Sequence, residues 1–463
     1  MVLFRMDRLL RKIEPEGKLP SEKELYTRTM HIAWPSVLES FLVAFVGMMD
    51  TVMVSVLGTY AIAAVGLTTQ PKFVALAVFL SLNVAVSAIV ARRAGEGKRE
   101  SANKLLFQML LLSAGLAVVI SILCVVFADP IIRFAGSEAD THKDAVEYFR
   151  IVMGWMVFNV ISLVINAAQR GAGNTRISMR TNAVSNVINV VFNYFLISGK
   201  CGFPVLGVRG AAIATVLGSA VACGMSIFSL FHKDGFLNIR CMRSLRPDRE
   251  NMQAVFRVGS SSFVEQLFQR IGFLLFAVTV AKLGTEAFAA HQIGLNFTAI
   301  SFSFGDGLAA ASISLVGQSL GQKRRDLARL YGAICQRIGV VFSLFLAIVF
   351  LLFGREFFRL YTSNETVLTY GVLIMRMMTV IVFLQITQVV FSGCLRGAGD
   401  TKFTAVISLL GTTVVRPAAS WLLCYPFGLG LAGAWIGLMA DQAIRFTMSW
   451  MRFRRGKWTT LQL

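Results

Sequence analysis

Long apolar runs alternate with short charged or glycine-rich breaks along nearly the whole chain. Twelve runs stand out, at 31–57, 65–90, 102–128, 145–168, 177–197 and 207–231, then 253–283, 287–317, 327–353, 367–394, 403–424 and 430–451. Each is long enough for a helix to cross the roughly 30 Å of bilayer hydrocarbon, which takes about 20 residues. The pattern predicts an all-α polytopic membrane protein with twelve transmembrane helices in two pseudo-symmetric six-helix bundles. Residues 1–30 are charged throughout and lack the apolar stretch of a cleaved leader. They read as a cytoplasmic N-terminal segment.

Composition agrees. Of 463 residues, 56% are hydrophobic and 15% charged, where a soluble chain has about a quarter charged. The net charge of +20 would suggest nucleic acid in a soluble protein. Here its distribution has another reading. Lys and Arg number 32 in the N-terminal segment, the even-numbered loops and the tail, against nine in the odd-numbered loops and four inside spans. The positive-inside rule then places both termini in the cytoplasm of a cell-membrane protein. Seven scattered cysteines without a CxxC pair, and only four histidines, give no metal or disulfide framework. No cofactor, nucleic-acid partner or oligomer is expected, and the lipid bilayer and a small solute are the partners.

The chain repeats itself at an offset of 226 residues. Leu57-Gly58-Thr59 recurs as Leu283-Gly284-Thr285, and Arg170-Gly171-Ala172-Gly173 as Arg396-Gly397-Ala398-Gly399. Gly95-Glu96-Gly97-Lys98-Arg99 faces Gly321-Gln322-Lys323-Arg324-Arg325. This divides the protein into an N-lobe (31–231), a basic linker (232–252), a C-lobe (253–451) and a basic tail (452–463). A duplicated even-numbered unit keeps its orientation, as in parallel-repeat transporters with a cavity between the halves. Catalysis finds no support. There is no GxxxxGK[ST], and the GxGxxG at 428–433 lacks the strand and acidic ribose partner of a nucleotide fold.

Charges inside spans cost about 2.5–3.5 kcal/mol at the helix centre on insertion scales, so they need a reason. Asp50 has no basic residue at i±3 or i±4. It is either hydrogen-bonded for packing or an ion or proton site. Asn182, Asn186, Asn189 and Asn193 share one face of the fifth span, as interhelical glue or the wall of a hydrated cavity. Asn159 and Asn166 add a polar face on the fourth. Glu39 falls on Glu265 in the repeat, but Asp50 falls on Phe276. Arg270 is not at i+4 to Glu265, so any pairing crosses helices. Asp441 and Arg445 are spaced for a salt bridge. Asp306, between two glycines, lines a cavity or ends a kink, and Arg416 snorkels or binds a buried carbonyl.

With Trp34-Pro35, Met49-Asp50-Thr51, the twin Arg-Gly-Ala-Gly motifs, Ala290-His291-Gln292 and Leu315-Val316-Gly317-Gln318, the chain resembles the multidrug and toxic compound extrusion (MATE) transporters. The resemblance implies an antiporter that exports amphipathic, mostly cationic drugs or metabolites in exchange for H+ or Na+. It also implies a coupling site of Asp50, Asn189, Asn193 and Thr215, with a possible Na+ at Asp50. Asn193 stands where archaeal members carry a second aspartate. The C-lobe ion site of another branch looks absent, since Gln269 and Gln385-Ile386 occupy the matching region. Glu39, Glu265, Asn182, Asn186, Gln269, Arg270 and Asp306 remain cavity or gating candidates. The competing reading is a flippase for lipid-linked oligosaccharide, which should show a more cationic cavity than three in-span arginines provide.

Overall fold

The computed structural model describes residues 15–138, 141–232, 235–239 and 249–461, apart from the side chains at 48, 51, 59 and 201. The first fourteen residues, most of the linker with Cys241, and the last two residues of the tail lie outside the described residues.

Apolar stretches with few helix breakers wind into rods linked by short turns. In the first half these are α1 (Glu22–Ser55), α2 (Thr59–Gly95), α3 (Arg99–Val126), a short α4 (Ala128–Phe134), α5 (His142–Gly154), α6 (Met156–Gly171), α7 (Thr175–Ser198) and α8 (Gly207–Ser229). The second half has α9 (Arg249–Ala281), α10 (Thr285–Gly321), α11 (Arg325–Arg359) and α12 (Glu365–Gly397). Then α13 (Thr401–Ser408) passes through a π-helical turn, Leu409–Val415, into α14 (Arg416–Cys424), before α15 (Gly430–Arg455). Pro417 lies at the start of α14, and its missing N–H accounts for a break in the hydrogen-bond ladder there.

Among the described residues, nine helices are long and apolar enough to cross a membrane, with α13 to α14 counted as one. The pair α5 and α6, bent by 48°, makes a tenth span. The other two rods, α7 and α15, complete the twelve. Their hydropathy is lower because α7 carries the asparagine stripe and α15 carries Asp441 and four arginines. The twelve-helix all-α architecture therefore stands.

Boundaries differ from the sequence reading in instructive places. The first helix starts at Glu22, nine residues before the apolar run, because a charged amphipathic turn continues the same helix. Likewise α9 begins at Arg249, inside the expected linker. The chain forms two compact units, Leu38–Val255 and a second in which the residues up to Val37 join those from Phe256 onward. Leu25, Ile32, Ala33 and Val37 of α1 accordingly share a core with Phe297, Leu330 and Trp435.

That packing explains Gly305-Asp306-Gly307. The helix α10 runs straight through it, so Asp306 terminates nothing; the glycines admit neighbours. A Cβ on Gly307 would lie 2.4 Å from the Val37 Cα. Gly307→Ala is expected to destabilise the protein by about 1–3 kcal/mol through overpacking, seen as a lower melting temperature in detergent.

The repeat is also visible in the backbone. Gly173 and Gly399 of the twin motifs have φ of 90° and 85°. Gly97 has φ 72°, while its counterpart Lys323 holds φ 59°, the one non-glycine at positive φ among the described residues.

Candidate functional site

Within the first unit, α7 turns its asparagines inward. On its other face Val187 is 61% exposed, and Val184 and Tyr194 are also exposed, as suits a lipid-facing surface. Facing the asparagines is α1, and the two helices meet in two polar layers. In the first, Asn182 Nδ2 donates to Glu39 Oε1 at 2.6 Å, and Arg170 Nη1 reaches the same oxygen at 2.9 Å. In the second, Asn193 Nδ2 donates to Asp50 Oδ1 at 2.8 Å. Asp50 lies eleven residues after Glu39 and Asn193 eleven after Asn182, so α1 and α7 run parallel. The layers are about 16 Å apart at 1.5 Å per residue.

The Asp50 layer is rich in oxygen. Asn193 Nδ2 also donates to Asn189 Oδ1 at 3.3 Å, and Asn189 Nδ2 to Thr215 Oγ1 of α8 at 3.4 Å. Asn193 is buried, and its own Oδ1 has no hydrogen-bond partner among the described residues. Asp50, Asn189, Asn193 and Thr215 are thus brought together, with carboxylate, amide and hydroxyl oxygens that suit a proton or a hard cation. Asn186, between the layers, has a buried Nδ2 without a partner among the described residues.

Two members of this site were not singled out from the sequence. The buried Tyr148 of α5 faces Thr215. Lys72 of α2 is part-buried inside its span, near enough for its charge to act on Asp50. Scanning i±3 and i±4 around Asp50 could not find it, because the neighbour comes from another helix. Only its placement as a lone in-span lysine was a signal.

The remaining candidates have other surroundings. Asn166 binds Ser162 and Ser226 side chains and accepts from Ser178 at its carbonyl, so it serves as packing glue. In the second unit, Glu265 meets Arg396, with Thr404 Oγ1 donating to it at 2.8 Å and Ser408 Oγ at 3.4 Å. Glu265, Arg396 and Ser408 are the 226-residue counterparts of Glu39, Arg170 and Asn182, so the first polar layer is duplicated. Arg270 is half-buried on α9 and is not among these partners of Glu265. Gln269 donates to Ser408 at 3.4 Å, and Gln385 accepts from Ser301 at 2.7 Å.

The second layer is not duplicated. Where the first half has Asp50, the second has Phe276, over which the Arg416 guanidinium lies at 5.6 Å. Arg416 neither snorkels nor binds a carbonyl. It is 2% exposed and its Nε donates to Asp441 at 3.0 Å. Asp441 also accepts from Arg445 at 2.8 Å, so one buried carboxylate holds two guanidiniums.

A family model described as MatE matches residues 35–195 and 261–422, one segment in each half. The "Probable multidrug resistance protein NorM" of Thermotoga maritima is 29% identical over 446 residues, 95% of each chain. The "Uncharacterized transporter YisQ" of Bacillus subtilis is 23% identical, covering 95% of this chain and 96% of its own. Among solved structures, an outward-facing multidrug resistance MATE family transporter aligns with TM-score 0.87 and 24% identity over 97% of this chain and 98% of that one. A MOP superfamily transporter from Pyrococcus furiosus gives TM-score 0.88 at 23% identity, covering 98% of both.

Proposed function

Since the chain belongs to the MatE family of multi-pass membrane transporters, we propose that it is a secondary antiporter exporting amphipathic, mostly cationic compounds in exchange for H+ or Na+. The names of its relatives support multidrug efflux. The observation that carries the coupling is the part-buried oxygen cluster at Asp50, held by the Asn193 Nδ2 and containing an Asn193 Oδ1 without a hydrogen-bond partner among the described residues. The coupling ion loads Asp50, with Asn189, Asn193 and Thr215 as further oxygen donors. Glu39 and Glu265, each held by an arginine, are structural anchors of the two halves rather than ion sites. The protein works as a monomer in the cell membrane, by alternating access of its halves.

A flippase reading has weaker support. Of the three in-span arginines, Arg416 is committed to Asp441 and does not supply a cationic cavity.

Efflux of a fluorescent organic cation from proteoliposomes, under an imposed ΔpH or ΔNa+, tests the transport reading. The expected result is efflux driven by one of the two gradients; transport driven by neither overturns it. Both termini and the 232–252 linker face the cytoplasm in this reading, as the charge distribution requires. A cysteine placed at position 240 is then expected to react with a membrane-impermeant reagent only in inside-out vesicles. Labelling from the outside of whole cells overturns that orientation.

A further inference from the structure

We propose that Lys72 is a tethered counter-ion of Asp50 and that it makes the coupling site selective for H+ over Na+. The inference rests on the antiport reading above and adds the identity of the ion.

The geometry comes from the α1–α2 hairpin. Ala61, Val65, Thr68 and Lys72 lie at i, i+4, i+7 and i+11, on one face of α2. Ala61 and Val65 of that face pack against Val54 of α1 and Tyr148 of α5. Asp50 is one turn before Val54 on α1. The hairpin is antiparallel, so one turn back along α1 is one turn forward along α2. Lys72 is two turns past Val65, and a helical side chain leans toward the N-terminus of its own helix. Its ammonium is thereby returned to the level of Asp50, and the charge of each acts on the other.

The charged and titratable groups at the site are few. Asp50 comes from α1, Lys72 from α2 and Tyr148 from α5, while α7 and α8 contribute the neutral Asn189, Asn193 and Thr215. No carboxylate lies within 4.0 Å of the Lys72 ammonium among the described residues, and the ammonium itself lies over the Phe73 ring, 5.9 Å from its centre. The ammonium is therefore held near Asp50 without being locked to it.

A nearby fixed cation treats the two coupling ions differently. Na+ must gather several oxygens around itself and share that volume with the lysine ammonium. A proton needs one carboxyl oxygen and no ligand shell; it comes from water on one side and returns to water on the other. Asn193 Oδ1, without a hydrogen-bond partner among the described residues, is an oxygen that Na+ could use and that a proton does not need. An ordinary lysine, a compact charge on a flexible stem, suits the part of counter-ion.

The test uses the full-length protein in proteoliposomes, with wild type, Lys72→Met, Lys72→Arg and Asp50→Asn compared under ΔpH alone and ΔNa+ alone. Wild type and Lys72→Arg are expected to run on ΔpH alone. Lys72→Met is expected to gain Na+-driven efflux, by roughly tenfold over wild type, because one unit charge has left a medium of intermediate dielectric. A Lys72→Met protein with the wild-type ion preference overturns the proposal, as does wild-type efflux driven by Na+. Should Lys72→Met not fold, the melting temperature of wild type in NaCl against KCl decides: equal values support the proposal, and a Na+-specific rise overturns it. If Asp50→Asn still pumps under either gradient, the placing of ion coupling at Asp50 fails, whatever Lys72 does.

Discussion

Asp50→Asn is expected to abolish gradient-driven efflux while leaving the fold and substrate binding largely intact. An asparagine keeps an oxygen where Asn193 Nδ2 now donates at 2.8 Å, so the hydrogen bond between α1 and α7 survives. What it loses is the capacity to take up and release a proton or a cation. If one H+ enters for each monovalent cation leaving, no net charge moves, and ΔpH alone drives export. Each tenfold proton gradient then sustains about a tenfold substrate gradient, roughly 1.4 kcal/mol. Without Asp50 that free energy has no route into transport, and the substrate should equilibrate or remain bound. Equilibrium binding of a fluorescent cation, measured beside efflux from proteoliposomes, separates the outcomes. Normal pumping by Asp50→Asn under both ΔpH and ΔNa+ would make the site structural.

The largest effect on stability is expected at Asp441. This carboxylate is fully buried and accepts from Arg416 and Arg445 together. Asp441→Asn leaves an oxygen for hydrogen bonding but removes the only anion facing two guanidiniums among the described residues. Breaking one partner of a buried pair costs about 3–5 kcal/mol, because a charge is stranded where water cannot reach it. Arg416 is 2% exposed, whereas Arg445 is 8% exposed and so retains slightly more contact with its surroundings. Nor can the site refill easily, since a Cβ on Gly411 would already lie 2.5 Å from Asp441. Thermal unfolding of the detergent-solubilised variant, followed by intrinsic fluorescence, should show a melting temperature far below wild type. A shift within error would mean that water enters the cluster.

The helices and the duplication were legible in the sequence because both rest on local or periodic signals. Apolar runs marked all twelve spans, including the two more polar rods, whose N-caps are Asn174 and Leu429. The offset of 226 residues gave more than a count. It paired Glu39 with Glu265, and the structure then showed that Arg170 with Asn182 and Arg396 with Ser408 are paired by the same arithmetic. The asparagine stripe was readable from helical spacing, and so was its inward orientation. What could not be read was which helix stands opposite. Lys72, Tyr148 and the partner of Arg416 all come from contacts between rods 22 to 98 residues apart in sequence, for which periodicity carries no information. The bend between α5 and α6 was hidden for a related reason, since nothing in Gly154-Trp155 distinguishes a broken span from a continuous one.

The triad of Arg416, Asp441 and Arg445 also bears on how the last two spans are built during synthesis. On insertion scales an arginine at mid-span opposes membrane entry by about 2.5–3.5 kcal/mol. Its counter-charge stands 25 residues later in the chain. At ribosomal speeds of about 5–20 residues per second, Arg416 waits one to several seconds for Asp441 to emerge. During that interval the rod that carries it is better kept at the translocon or among earlier helices than released into lipid. The two rods then enter most favourably together, as a hairpin already closed by its ion pair, so that biogenesis of the C-terminal end is cooperative over some fifty residues rather than helix by helix.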